Sequence, residues 1–140
     1  MAPRKKILII EDDTDLIEAM KVTLRAENYK VISSTDPEKG FVVAKKEKPD
    51  LVILDVLFGK DDKAKGFDYA VKMRSEKTLS SIPILMVTSI NVRYPEFKFS
   101  PDTDGEFLPV DDFIDKPAKP EELVDKVKKL IDAKVSKWAK

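Results

Sequence analysis

The stretch PDLVILDVLFG, Pro49 to Gly59, runs four apolar residues, Leu51 to Leu54, straight into an acid, Asp55, before apolar residues resume. An unbroken apolar run of this length suits a strand buried on both faces. A carboxylate at the end of such a run is costly if it is buried without a partner. What Asp55 is for has to be read from the rest of the chain.

Outward from that strand, the same grammar repeats. Towards the N-terminus, KKILIIEDD carries the apolar run Ile7 to Ile10 and ends in Glu11, Asp12 and Asp13. DLIEAMKVTLRAE then spaces Ile17, Met20 and Leu24 for one face of a helix, and YKVIS reads as a second strand. DPEKGFVVAKKEK opens with Asp36 as an N-cap and Pro37 at the first helical position. Beyond Asp55, GFDYAVKMRSEK places Phe67, Ala70, Val71 and Arg74 near one stripe of a third helix. PILMVT is a fourth buried strand and DFIDK a short fifth. PEELVDKVKKLIDAKVSKW predicts a long final helix with Val124, Val127, Ile131, Val135 and Trp138 on one face, acids at its start and lysines towards its end. Strands alternating with helices argue for a parallel sheet covered on both faces, in one domain spanning residues 1–140.

One segment breaks the pattern. Between Thr88 and Asp111 stand Pro95, Pro101 and Pro109, where a doubly wound fold would place its fourth helix. The segment also holds Tyr94, Phe97, Phe99 and Phe107, too apolar for plain disorder. An ordered but mostly irregular excursion is expected, its rings packed on the body in the favoured reading and offered to a partner in the alternative.

Composition removes several classes of chemistry. There is no cysteine and no histidine, so thiolate and Ser-His or Cys-His catalysis are excluded, and any metal must be held by oxygen. The 26 basic and 26 acidic residues cancel, which gives no electrostatic case for direct DNA or membrane binding. No apolar run is long enough to span a bilayer, and a cytoplasmic location is the expectation.

In open parallel sheets, ligands bind at the carboxyl ends of the strands. At those ends stand Glu11, Asp12 and Asp13, then Asp55, Thr88 and Lys116. Carboxylates gathered at one edge repel one another, and a hard cation relieves them. Magnesium suits oxygen-only ligands, keeps waters and accepts phosphate oxygens. Thr88 could donate to a phosphoryl oxygen, Lys116 adds a point charge, and Asp55 is the candidate nucleophile, since aspartate can form an acyl phosphate. The simpler reading of each residue is a helix cap for the acids, an ordinary strand residue for Thr88 and a solvated charge for Lys116. Only the set, in this order, argues for more.

That set resembles the receiver domain of two-component response regulators: acids after strand one, a lone Asp after strand three, Thr after strand four and Lys-Pro after strand five. The resemblance covers nearly the whole chain. It implies a flavodoxin-like α/β fold, a doubly wound five-stranded parallel sheet in the order 2-1-3-4-5. It implies phosphorylation of Asp55 from the phosphohistidine of a sensor histidine kinase or phosphotransfer protein, with Mg2+ required. Glu11 and Asp12 match the acidic metal-binding pair, Asp12 the more direct ligand, and Leu57 would offer its backbone carbonyl. Thr88 matches the switch hydroxyl, Lys116 the phosphate-binding lysine, and Phe113 the aromatic that changes rotamer. The Lys116–Pro117 bond matches a cis peptide. A downstream protein effector would read the phosphorylated state; the chain reads as a stand-alone phosphoacceptor rather than an enzyme acting on others, with no DNA-binding domain after its final helix.

Departures from the family pattern fall in two places. Phe58-Gly59 replaces the usual Met-Pro after the acceptor and Gly66 comes late, which lengthens that loop; Leu57 and Ile90 are apolar where hydrolysis of the phosphoryl group is tuned. These changes motivate a rival reading, a phosphorylation-independent interaction module on the same fold. An aspartate-dependent phosphohydrolase is a weaker rival, because Leu57 stands where a second acid would be needed.

Overall fold

The computed structural model describes residues 4–55, 65–89 and 110–133. In chain order the elements are β1 (Lys6–Ile10), α1 (Thr14–Ala26), β2 (Lys30–Ser34), α2 (Pro37–Glu47), β3 (Leu51–Leu54), α3 (Lys65–Ser75), β4 (Ile84–Thr88), β5 (Asp112–Asp115) and α4 (Pro120–Asp132). The five strands form one sheet in the order β2-β1-β3-β4-β5, every pair parallel. This is the doubly wound topology expected from the sequence.

The unbroken apolar runs are explained by the two layers that cover the sheet. Leu8, Ile10, Val52, Leu54, Ile84 and Met86 face α2 and α3 and pack with Phe41, Ala44, Tyr69, Ala70 and Met73. Their neighbours Ile7, Ile9, Leu51, Ile53, Leu85 and Val87 face the other way, against Ile17, Met20 and Leu24 of α1 and Leu123, Val127 and Ile131 of α4. Each fully buried side chain of this kind contributes roughly 1.5–3 kcal/mol relative to exposure. Helix α2 lies close over β1: a Cβ on Gly40 would stand 2.7 Å from Ile10 Cδ1.

Local capping fixes where the helices begin. Asp13 accepts from the amides of Asp15 and Leu16, and Asp36 accepts from Lys39 N at 3.0 Å, with Pro37 next to it. Each such cap is worth about 1 kcal/mol. Two facial assignments differ from the sequence reading. In α3 the buried residues are Tyr69, Ala70, Met73 and Arg74, while Val71 is exposed; in α4 Leu123 takes the buried position and Val124 is half-buried. Both shifts are about 100° around a helix, the cost of choosing between adjacent residues when either fits an i, i+3, i+4 pattern. The segment of residues 90–109, including the three prolines and four aromatics, lies outside the described residues, as do Leu57, Phe58, Gly59, Ile90, Val135 and Trp138.

Candidate active site

Register places the acids together. Ile10 pairs with Leu54, so the residues that follow, Glu11 and Asp55, leave neighbouring strands side by side at one sheet edge. Backbone hydrogen bonds hold both: Glu11 N donates to Ser34 O at 3.1 Å and Asp55 N to Ile10 O at 3.0 Å. On the other side, Thr88 pairs with Asp115, and Lys116 N donates to Thr88 O at 2.9 Å, which brings Lys116 to the same edge.

The Lys116 ammonium sits between two carboxylates, donating to Glu11 Oε1 at 2.5 Å and to Asp55 Oδ2 at 3.0 Å. Both acids are buried, Glu11 to 2% exposure and Asp55 to 4%. This answers the question set by Pro49 to Gly59: Asp55 is buried, and a lysine from β5 meets its charge. Asp12, exposed beside them, completes a group in which one oxygen from each of Glu11, Asp12 and Asp55 lies within 4.8 Å of the others.

Charge in this group is not balanced by Lys116 alone. Burial, and then the Asp55 charge, push the Glu11 carboxyl up to about 7, against the opposing pull of Lys116 and of the Asp13 amide, which donates to Glu11 Oε2 at 3.2 Å. Burial by itself would lower the Lys116 pKa, but the two acids outweigh it and the ammonium is held more firmly than an ordinary lysine. Three hard oxygen donors around a net negative pocket fit a small divalent cation, and among the described residues this is the one such cluster. Thr88 is fully buried at the end of β4, and its hydroxyl finds no partner among the described residues. A buried hydroxyl in that state costs about 1–3 kcal/mol.

The structure brings Glu11, Asp12, Asp55 and Lys116 together, with Thr88 tied to Lys116 through the backbone. Phe113 is half-buried and packs against the α2–α3 layer, and the Lys116–Pro117 peptide is cis. Leu57, expected to offer its carbonyl, lies outside the described residues. What the sequence reading missed is the support of β5. Lys126 Nζ bonds Phe113 O at 2.9 Å and Asp112 Oδ1 at 3.1 Å on the outer edge of the strand. Asp111, just before β5, forms a buried ion pair with Arg74. A charged residue on an otherwise apolar helical stripe was the available signal, since a buried arginine requires an acceptor.

A five-stranded doubly wound sheet with an acidic pocket, a buried hydroxyl and a lysine at the carboxyl ends of its strands defines a class of phosphoacceptor domains. The chain belongs to the response regulator receiver domain family, whose model matches residues 7–128. It is 32% identical over 127 residues to the alkaline phosphatase synthesis transcriptional regulatory protein PhoP of Bacillus subtilis, a match covering 91% of this chain and 48% of that protein. The chain thus spans about half the length of the curated relatives it matches. Among solved structures it resembles a CheY-like receiver domain protein from Methanospirillum hungatei, with TM-score 0.76, 24% identity and coverage of 94% of this chain and 97% of that one. It also resembles the receiver domain of a Pseudomonas aeruginosa sensor histidine kinase, with TM-score 0.76, 19% identity and coverage of 93% and 99%. That receiver holds a magnesium ion in its active-site cleft. Among the described residues of this chain, no helix is long and apolar enough to cross a membrane.

Proposed function

We propose that this domain accepts a phosphoryl group on Asp55 from the phosphohistidine of a sensor histidine kinase or phosphotransfer protein, and that the phosphorylated state changes its affinity for a downstream protein. The observation that carries the reading is Asp55 itself, its amide bonded to Ile10 O of β1 and its buried carboxylate bonded to Lys116. In the transfer, an Asp55 oxygen attacks the phosphorus in line with the donor nitrogen; the new P–O bond forms as the P–N bond breaks, and the imidazole leaves and takes up a proton. Lys116 moves from the carboxylates to an incoming phosphoryl oxygen, neutralising charge where it develops. The Thr88 hydroxyl then gains the acceptor it lacks, and Phe113, at the neighbouring strand, follows it inward.

Magnesium, held by Glu11, Asp12, Asp55 and the Leu57 carbonyl, would supply the remaining positive charge. In this reading the domain is a phosphoacceptor that promotes its own modification, acts in the cytoplasm as one domain over residues 1–140, and signals through protein contact rather than DNA. The balanced charge of the chain supports that last point. Intact-protein mass spectrometry after acetyl phosphate and magnesium tests the proposal. One phosphoryl adduct is expected, absent from Asp55→Ala and from a metal-free sample. An adduct that persists in Asp55→Ala names the wrong acceptor, and no adduct in the parent protein favours an interaction module that works without phosphate.

A further inference from the structure

We infer that the buried Arg74–Asp111 pair is a register lock for β5, and that Arg74 and Asp111 are positioning residues for Lys116. The inference rests on the role proposed above for Lys116, but its first readout does not. Strand β5 has four residues and, among the described residues, lies at the edge of the sheet and pairs on one side only. It offers two apolar side chains, Phe113 to the α2–α3 layer and Ile114 to the α1–α4 layer. A strand so short, with one apolar residue for each face, specifies its register weakly, and a slip of one residue exchanges its faces. Such a slip would also carry Lys116 about 3.3 Å along the strand axis, out of reach of Asp55.

Asp111 supplies what the strand lacks. Its amide donates to Ile84 O at 2.9 Å, and its Oδ2 accepts from Ile84 N at 2.9 Å, so backbone and side chain both grip the first residue of β4. Arg74 Nη2 donates to the same Oδ2 at 2.8 Å, while Nη1 donates to Ser80 O at 3.0 Å and Ile82 O at 2.7 Å. One guanidinium therefore joins the end of α3, the turn before β4 and the entry to β5. The pair is almost wholly buried, its side chains exposed by 6% and 4%. Buried ion pairs are seldom a net source of stability over apolar replacements; fixing register is their best attested use. The ladder is bracketed by Asp111 at its start and by Lys116 N donating to Thr88 O at its end, so what fixes one end places the other.

The test replaces both charges at once, as Arg74→Met with Asp111→Leu, because either change alone strands a buried charge. Amide hydrogen exchange in the double variant should speed at least about tenfold at Lys116 and its β5 neighbours relative to β1, with overall folding retained. Acetyl phosphate labelling should slow by about tenfold or more. Magnesium affinity should stay within about twofold, because Glu11, Asp12 and Asp55 stand on β1 and β3. General destabilisation would weaken both functions together. Arg74→Lys, which keeps the charge but loses the planar fork, should show the same split more weakly. Unchanged exchange at Lys116 overturns the lock, as does a double variant that fails to fold, since the pair would then serve folding at large. Altered exchange with normal labelling would instead count against the role of Lys116.

Discussion

Two charge clusters lie at the two ends of β5, and they are built on opposite principles. Among the described residues, Arg74 pairs with Asp111, and the two also bond Ser80 O, Ile82 O and Ile84 N. At the other end, Lys116 donates to Glu11 and Asp55 with Asp12 exposed beside them, the Glu11 carboxyl is pushed up to about 7 by burial and by Asp55, and the Thr88 hydroxyl stands without a partner among the described residues. A satisfied cluster holds the fold in one arrangement. A gathering of carboxylates is where a cation or a phosphoryl group can act.

The contrast can be broken first at its rigid end. Asp111→Ala removes one side of the buried Arg74–Asp111 ion pair and should cost about 3–5 kcal/mol in chemical denaturation, with or without magnesium. A cost below about 1 kcal/mol would show that water reaches Arg74 freely. At the site, magnesium at a hundred times its dissociation constant should raise stability by about 2.7 kcal/mol, and the gain should shrink sharply in Asp12→Asn. Calorimetric melting with and without the ion reads both. Smallest is Thr88→Val, which removes a hydroxyl that bonds nothing described: folding stability should be unchanged or rise by up to about 1 kcal/mol, while the phosphorylation-dependent shift at Phe113, read by NMR, should be lost. A loss of stability there would mean the hydroxyl already has a structural partner.

How much of this was legible in the sequence depends on how each feature is encoded. The parallel sheet covered on both faces followed from five apolar runs alternating with helical segments, whereas the strand order came only with the resemblance to receiver domains. Asp13 and Asp36 were readable as caps because capping is local, decided by residues three apart. Glu11, Asp12, Asp55, Thr88 and Lys116 were found by their places at strand ends, where topology alone brings them together. Asp111 was not, since its partner Arg74 lies 37 residues away and no local pattern marks the pair. The choice of Leu123 over Val124, and the exposure of Val71, depend on a rotation that hydrophobic spacing leaves open.

On the function proposed above, the cluster of Glu11, Asp12 and Asp55 binds a divalent cation. Titrating magnesium into the isotopically labelled protein, beside Asp12→Asn, tests it most directly. Saturable shifts centred on Glu11, Asp12, Asp55 and Lys116, much weaker in the variant, are the predicted result. Shifts that fail to saturate, spread over the surface acids and persist unchanged in Asp12→Asn would contradict it.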